Sequence, residues 1–136
     1  MMRVGDERNL VHRVTREDVE AYASISGDNN LPHMESEFSK KSSFDRRISH
    51  GKLIVSFFTG MIALDFPGSR ALQISQEIHF KAPVFVNGDI QLQLVVKKSV
   101  DRVGTLYLSA KCHSDNRLWV DGMFKVYKGR YDLIND

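Results

Sequence analysis

The sequence lacks most of the features that would mark a secreted, membrane or nucleic-acid-binding chain. It has one cysteine, Cys112, in 136 residues. An internal disulfide is therefore excluded, and a reducing, cytoplasmic setting is expected. No apolar run reaches the length of a membrane span, and no apolar leader-type segment opens the chain. The formal net charge is only +2, with acids and bases interspersed, so no nucleic-acid footprint is expected. There are three prolines and no linker-like, repetitive or low-complexity tract, so residues 1–136 are expected to form a single domain. Metal-binding patterns are missing too. His33-Met34-Glu35 has the His-x-Glu spacing of a zinc deaminase, but a lone cysteine leaves no Cys-x-x-Cys to follow it. No helical His-Glu-x-x-His occurs, and no metal site is expected.

What remains is a hydrophobic pattern that changes period along the chain. A short strand is expected around Leu10 to Val14. Thr15 then offers an N-cap, with Asp18 completing a capping box. Val19, Tyr22, Ala23 and Ser26 follow at helical spacing, and Gly27 is a natural stop. A second short helix is expected near Ser36 to Ser42. Next comes "SHGKLIVSFFTGMIALDFPG", with Ser49 as a plausible N-cap and Pro67-Gly68 as the terminator. Its Leu53, Ile54, Val55, Phe57, Phe58, Met61, Ile62, Ala63 and Leu64 leave almost no polar face. About 16 residues is too short to cross a bilayer comfortably, so this helix is expected to be buried.

Four stretches of alternating polarity follow, led by Leu72–Phe80, Ile90–Val96, Leu106–Cys112 and Leu118–Val126. Their period is two. The links "VNGD", "VDRVG" and "SDNR" carry turn residues. A mostly antiparallel sheet with one apolar face needs a cover, and the apolar helix needs a coat. The economical arrangement is α+β: a single hot-dog domain, in which a curved antiparallel sheet wraps a long buried helix. Cys112, on an apolar strand face, is expected in the core.

The segment Ser26 to His33, "SGDNNLPH", is polar and carries Asp28 and His33 five residues apart. In isolation it is readable as an Asx-type turn beside a loop histidine. Together with "FDRRISHGKLIVSFF" and "QEIHFKAPVFVNGD", in that order, it resembles the MaoC-like family of R-specific enoyl-CoA hydratases. The resemblance runs from about Tyr22 to Asp89. It implies that Asp28 and His33 activate a water that adds to a 2-enoyl thioester. Such hydration needs a proton acceptor for water, a proton donor to the α-carbon and a donor to the enolate oxygen. The Gly51 N–H, at a helix N-terminus, suits the last task. Gly51 also has no Cβ to keep a ligand away.

The same resemblance places Ser56 near the aspartate, where it either orients Asp28 or bonds its own helix backbone. Asn30 is expected to bond backbone within the loop, with water placement as the alternative. His50 is expected to pack or cap near the helix start. The acyl tail would lie near Phe57, Phe58 and Met61. Lys40, Lys41, Arg46 and Arg47 read as a solvated loop, or as contacts for CoA or an acyl carrier protein. No organic cofactor is expected, and the family's habit implies a homodimer. Three departures stand out: Leu31-Pro32 reverses the usual order, Glu35 replaces Asp, and Ser49 replaces Ala. They keep one rival open, a non-catalytic thioester-binding or assembly subunit; a second rival, a hot-dog thioesterase, shares the fold and the thioester, but the Asp28-to-His33 loop argues for hydration instead.

Overall fold

The protein is described by a computed structural model covering residues 2–30, 48–68 and 70–129. His33, the helix expected near Ser36 to Ser42, and Lys40, Lys41, Arg46 and Arg47 lie outside the described residues.

Strand β1 (Glu7–Arg13) leads into helix α1 (Arg16–Ser26). The junction is the capping box anticipated from sequence. The Asp18 N–H donates to Thr15 Oγ1 and the Thr15 N–H donates to Asp18 Oδ2, both at 3.1 Å. Gly27 ends α1 at φ 79°, the left-handed geometry that costs glycine least. Helix α2 (Gly51–Asp65) then precedes strands β2 (Leu72–Phe80), β3 (Asp89–Val100), β4 (Thr105–Ser114) and β5 (Arg117–Tyr127). All pairings are antiparallel, in the order β1-β3-β4-β5-β2. The turn residues act as their sequence suggests. Asp115 and Asn116 take positive φ between β4 and β5, and Gly104 does so after a 3-10 turn at Asp101–Val103.

The core lies between α2 and one face of the sheet. Leu53, Ile54, Val55, Phe58, Met61 and Ile62 pack with Leu92, Leu94, Leu106, Leu108, Phe124 and Val126 in one buried cluster. Phe58 and Phe124 meet with ring centroids 6.0 Å apart. Cys112 is fully buried there, and desolvation pushes its thiol up to about 12.

One expectation changes. The helix is buried on one side only: Lys52, Ser56, Thr59, Gly60, Ala63 and Leu64 are exposed. Apart from Leu64 the far side is made of small or polar residues, so the sheet gains little by covering it. The strand order does not follow the chain. β2 pairs with β5, not with β3, and forms an open edge. Its apolar residues Leu72, Ile74 and Phe80 are 65%, 52% and 52% exposed.

The β2–β3 crossover positions the site. The Lys81 N–H donates to the Trp119 carbonyl at 2.8 Å, and the Ser49 N–H donates to the Val84 carbonyl at 2.6 Å. Ile48 bridges to Phe85. The Asn87 N–H reaches the Val14 carbonyl at 2.7 Å. This segment therefore runs past the N-terminus of α2 and ties it to both ends of the sheet.

Candidate active site at the N-terminus of α2

A cleft of about 480 Å³ opens where the loop after α1, the start of α2 and the crossover meet. Asp28, Ser49, His50, Gly51, Lys52, Phe80, Lys81 and Pro83 are among its lining residues. Asp28 arrives there because Gly27 turns the chain sharply at the end of α1. Its N–H donates to Ser26 Oγ at 3.1 Å, and the Ser26 hydroxyl in turn donates to the Tyr22 carbonyl at 2.7 Å. Its Oδ1 accepts from the Asn30 N–H at 3.2 Å, which is an Asx-type turn. The turn and an acid/base role are compatible, because the side chain still lines the cleft and is 42% exposed.

His50 is the N-cap residue of α2 and is almost wholly buried. Ser49, the N-cap expected from sequence, sits one residue too early and instead bonds the crossover through its backbone. The His50 ring makes no capping bond. It lies across α1, 4.8 Å from the Tyr22 ring, with Nε2 2.8 Å from the Asp28 carbonyl oxygen. The same Nε2 is 4.0 Å from Asp28 Oδ2.

Gly51 begins α2, where the first N–H groups have no acceptor inside the helix and carry partial positive charge. Its missing Cβ matters at once, because the Phe80 ring rests against it. A Cβ built on Gly51 would fall 2.6 Å from Phe80 Cε1.

Asp28 and Gly51 are thus brought to one cleft, and His33 lies outside the described residues. Asn30 enters through its backbone bond to Asp28. Ser56 is exposed on α2, where its hydroxyl donates to the Leu53 carbonyl at 2.5 Å, the local backbone bond that was one of its two expected fates. Phe58 and Met61 belong to the core and do not line the cleft; Phe57, partly buried, stacks on His12 with centroids 4.2 Å apart. Sequence reasoning missed the His50–Asp28 contact and the Phe80–Gly51 contact. Each joins residues more than twenty positions apart, and no local spacing encodes it. No cluster of three or more potential metal ligands occurs among the described residues, and no helix among them is long and apolar enough to cross a membrane.

A MaoC-like domain model matches residues 4–113. The chain belongs to the MaoC-like family. It is 31% identical over 138 aligned positions to a mitochondrial 3-hydroxyacyl-[acyl-carrier-protein] dehydratase of Arabidopsis thaliana, covering 98% of this chain and 82% of the relative. It is 33% identical over 95 residues to an (R)-specific enoyl-CoA hydratase of Aeromonas caviae, covering 70% of this chain and 71% of that one. The solved (R)-hydratase of A. caviae, described as involved in PHA biosynthesis, superimposes with a TM-score of 0.91 at 28% identity, over 94% of this chain and 98% of that structure. This MaoC-like chain therefore has the hot-dog fold, and its named relatives are lyases that add or remove water.

Proposed function

We propose that the protein is a lyase that hydrates 2-enoyl thioesters with R specificity, or runs the reverse dehydration of 3-hydroxyacyl thioesters. The observation that carries this reading is the shared cleft of Asp28 and the Gly51 end of α2. Addition of water to a conjugated thioester develops negative charge on the thioester oxygen, and a helix N-terminus stabilises that charge without a charged side chain. In this reading Asp28 takes a proton from water, His33 works with it in moving the proton to the α-carbon, and the Gly51 N–H donates to the oxygen. As written, the chemistry uses no metal or organic cofactor.

The acyl group is carried on CoA or on an acyl carrier protein, since relatives named for both carriers resemble the chain. The working form is a homodimer. Its support is the open edge of β2, which carries the exposed Leu72 and Ile74. A cytoplasmic setting fits the single buried thiol of Cys112.

Crotonyl-CoA tests the reaction directly. Loss of enoyl absorbance with formation of the R-3-hydroxyacyl product supports hydration. Release of free CoA identifies a thioesterase instead, and binding without turnover identifies a binding subunit. A chain-length series on both carriers then defines the substrate.

A further inference from the structure

We infer that His50 is a positioning residue that holds Asp28 in register with the Gly51 N–H; this inference rests on the function proposed above. A carbonyl oxygen only accepts hydrogen bonds, so the 2.8 Å contact from His50 Nε2 to the Asp28 carbonyl requires the hydrogen on Nε2. The tautomer is thereby set by geometry. The ring is about 1% exposed, so water does not compete for that hydrogen. Its orientation is further restricted by the tilted contact with Tyr22 at 4.8 Å.

The same residue opens α2. The His50 carbonyl accepts from the Leu53 N–H at 3.2 Å and the Ile54 N–H at 3.4 Å, the bonds that begin the helix. Gly51 is the next residue along the chain. One residue thus fixes the helix start through its backbone and the Asp28 loop through its side chain. The main chain of Asp28 is held from both sides, with its N–H on Ser26 Oγ and its carbonyl on His50. Its Oδ1 is held by the Asn30 N–H, while Oδ2 lies 4.0 Å from the same His50 nitrogen. The Asn30 bond restrains rotation of the Asp28 side chain, and the backbone anchors fix the position from which that side chain extends. The ring acts on the reaction through Asp28, without touching substrate.

Two measurements on the full chain test this. The first is a ¹⁵N-edited spectrum of the imidazoles in the unliganded protein. A His50 ring carrying its hydrogen on Nε2 is expected; a ring protonated at Nδ1 alone overturns the tether whether or not the protein turns over any thioester. The second compares His50→Gln, whose amide N–H₂ sits where Nε2 does, with His50→Leu, which has no donor. Misplacing a reacting group by about 1 Å costs roughly a hundredfold, so His50→Leu should lose about thirtyfold or more in kcat on crotonyl-CoA. Its KM should stay within about threefold, and the Asn30 amide should exchange faster with solvent. His50→Gln should retain kcat within about fivefold and leave the Asn30 exchange as in the parent. Equal loss in both variants, or a change confined to KM, overturns the positioning role. Should His50→Leu fail to fold, the spectrum and His50→Gln still decide it. A parent protein inert toward enoyl thioesters removes the proposed function and the catalytic half of this inference, while the spectrum decides the tether separately.

Discussion

The Phe80 ring lies directly over Gly51, so that a methyl group on Gly51 would sit 2.6 Å from Cε1 and 2.9 Å from both Cδ1 and Cζ. These residues join the edge strand of the sheet to the first turn of α2, and both line the cleft. The contact explains a glycine at a helical position where alanine has the better propensity.

Gly51→Ala therefore forces the ring to move. Phe80 is on the edge strand and half exposed, so its ring can give way, and the stability loss should stay within about 1–3 kcal/mol. The displaced ring would enter the cleft, and kcat/KM on an enoyl thioester should fall by about tenfold or more. Adding Phe80→Ala should recover much of that loss, a coupling that a double-mutant cycle measures. Additive losses in the double mutant would show that the ring contact is not the reason for the glycine.

Neighbouring phenylalanines on α2 should behave differently. Phe58 is fully buried and meets Phe124, so Phe58→Ala should cost about 3–5 kcal/mol. Phe57 is only partly buried and leans on the His12 ring, so Phe57→Ala should cost clearly less. Urea unfolding of both variants checks the order. Equal losses would contradict the one-sided burial of the helix.

Gly122 should tolerate substitution worse than Gly51. A Cβ there would meet the Glu77 carbonyl oxygen at 2.5 Å and Ile78 Cδ1 at 2.6 Å. The first of these is backbone on β2 and cannot swing aside. Gly122→Ala must push β2 away from β5, and a loss of about 2–3 kcal/mol is expected. Amide exchange along β2 should rise more than along β3. Unchanged β2 protection would mean that the strand absorbs the methyl without separating.

The sequence displayed its local devices plainly. The capping box of Thr15 and Asp18, the stop at Gly27 and the turn at Asp115-Asn116 depend on residues within a few positions of one another, and each appears where its spacing placed it. Asp28 and Gly51, singled out by their motifs, line one cleft. The position of β2 was not legible. Its alternation resembles that of β3, but pairing with β5 leaves it an edge, and its register with β5 shifts between Gln73 and Ser75. The N-cap was missed by one residue for a related reason. A serine competes well for a cap on local grounds, whereas His50 holds that position while its ring bonds a carbonyl twenty-two residues away.

The junction of β1 and α1 should carry a pH dependence of known sign. Burial alone would raise the Asp18 carboxyl, but the Thr15 N–H, the bond and charge of His12 and the Thr15 hydroxyl together hold it below its usual value. His12 Nε2 lies 3.0 Å from Asp18 Oδ2. A carboxyl with a lowered folded pKa binds protons less readily in the native state than in the unfolded chain. Its stabilisation is therefore complete above the unfolded value of about 4 and is lost as pH falls through the lower folded value. Asp18→Asn keeps the shape of the cap and removes the charge. At neutral pH the variant should be less stable by about 1 kcal/mol, in the range of a cap or helix-dipole contribution. The gap should close as the solution is acidified below about pH 4, because the native side chain then becomes neutral as well. Urea unfolding of both proteins at intervals from pH 7 to pH 2 measures it. A gap that persists at the acid end, or that widens there, would mean that the charge of Asp18 does not stabilise this junction.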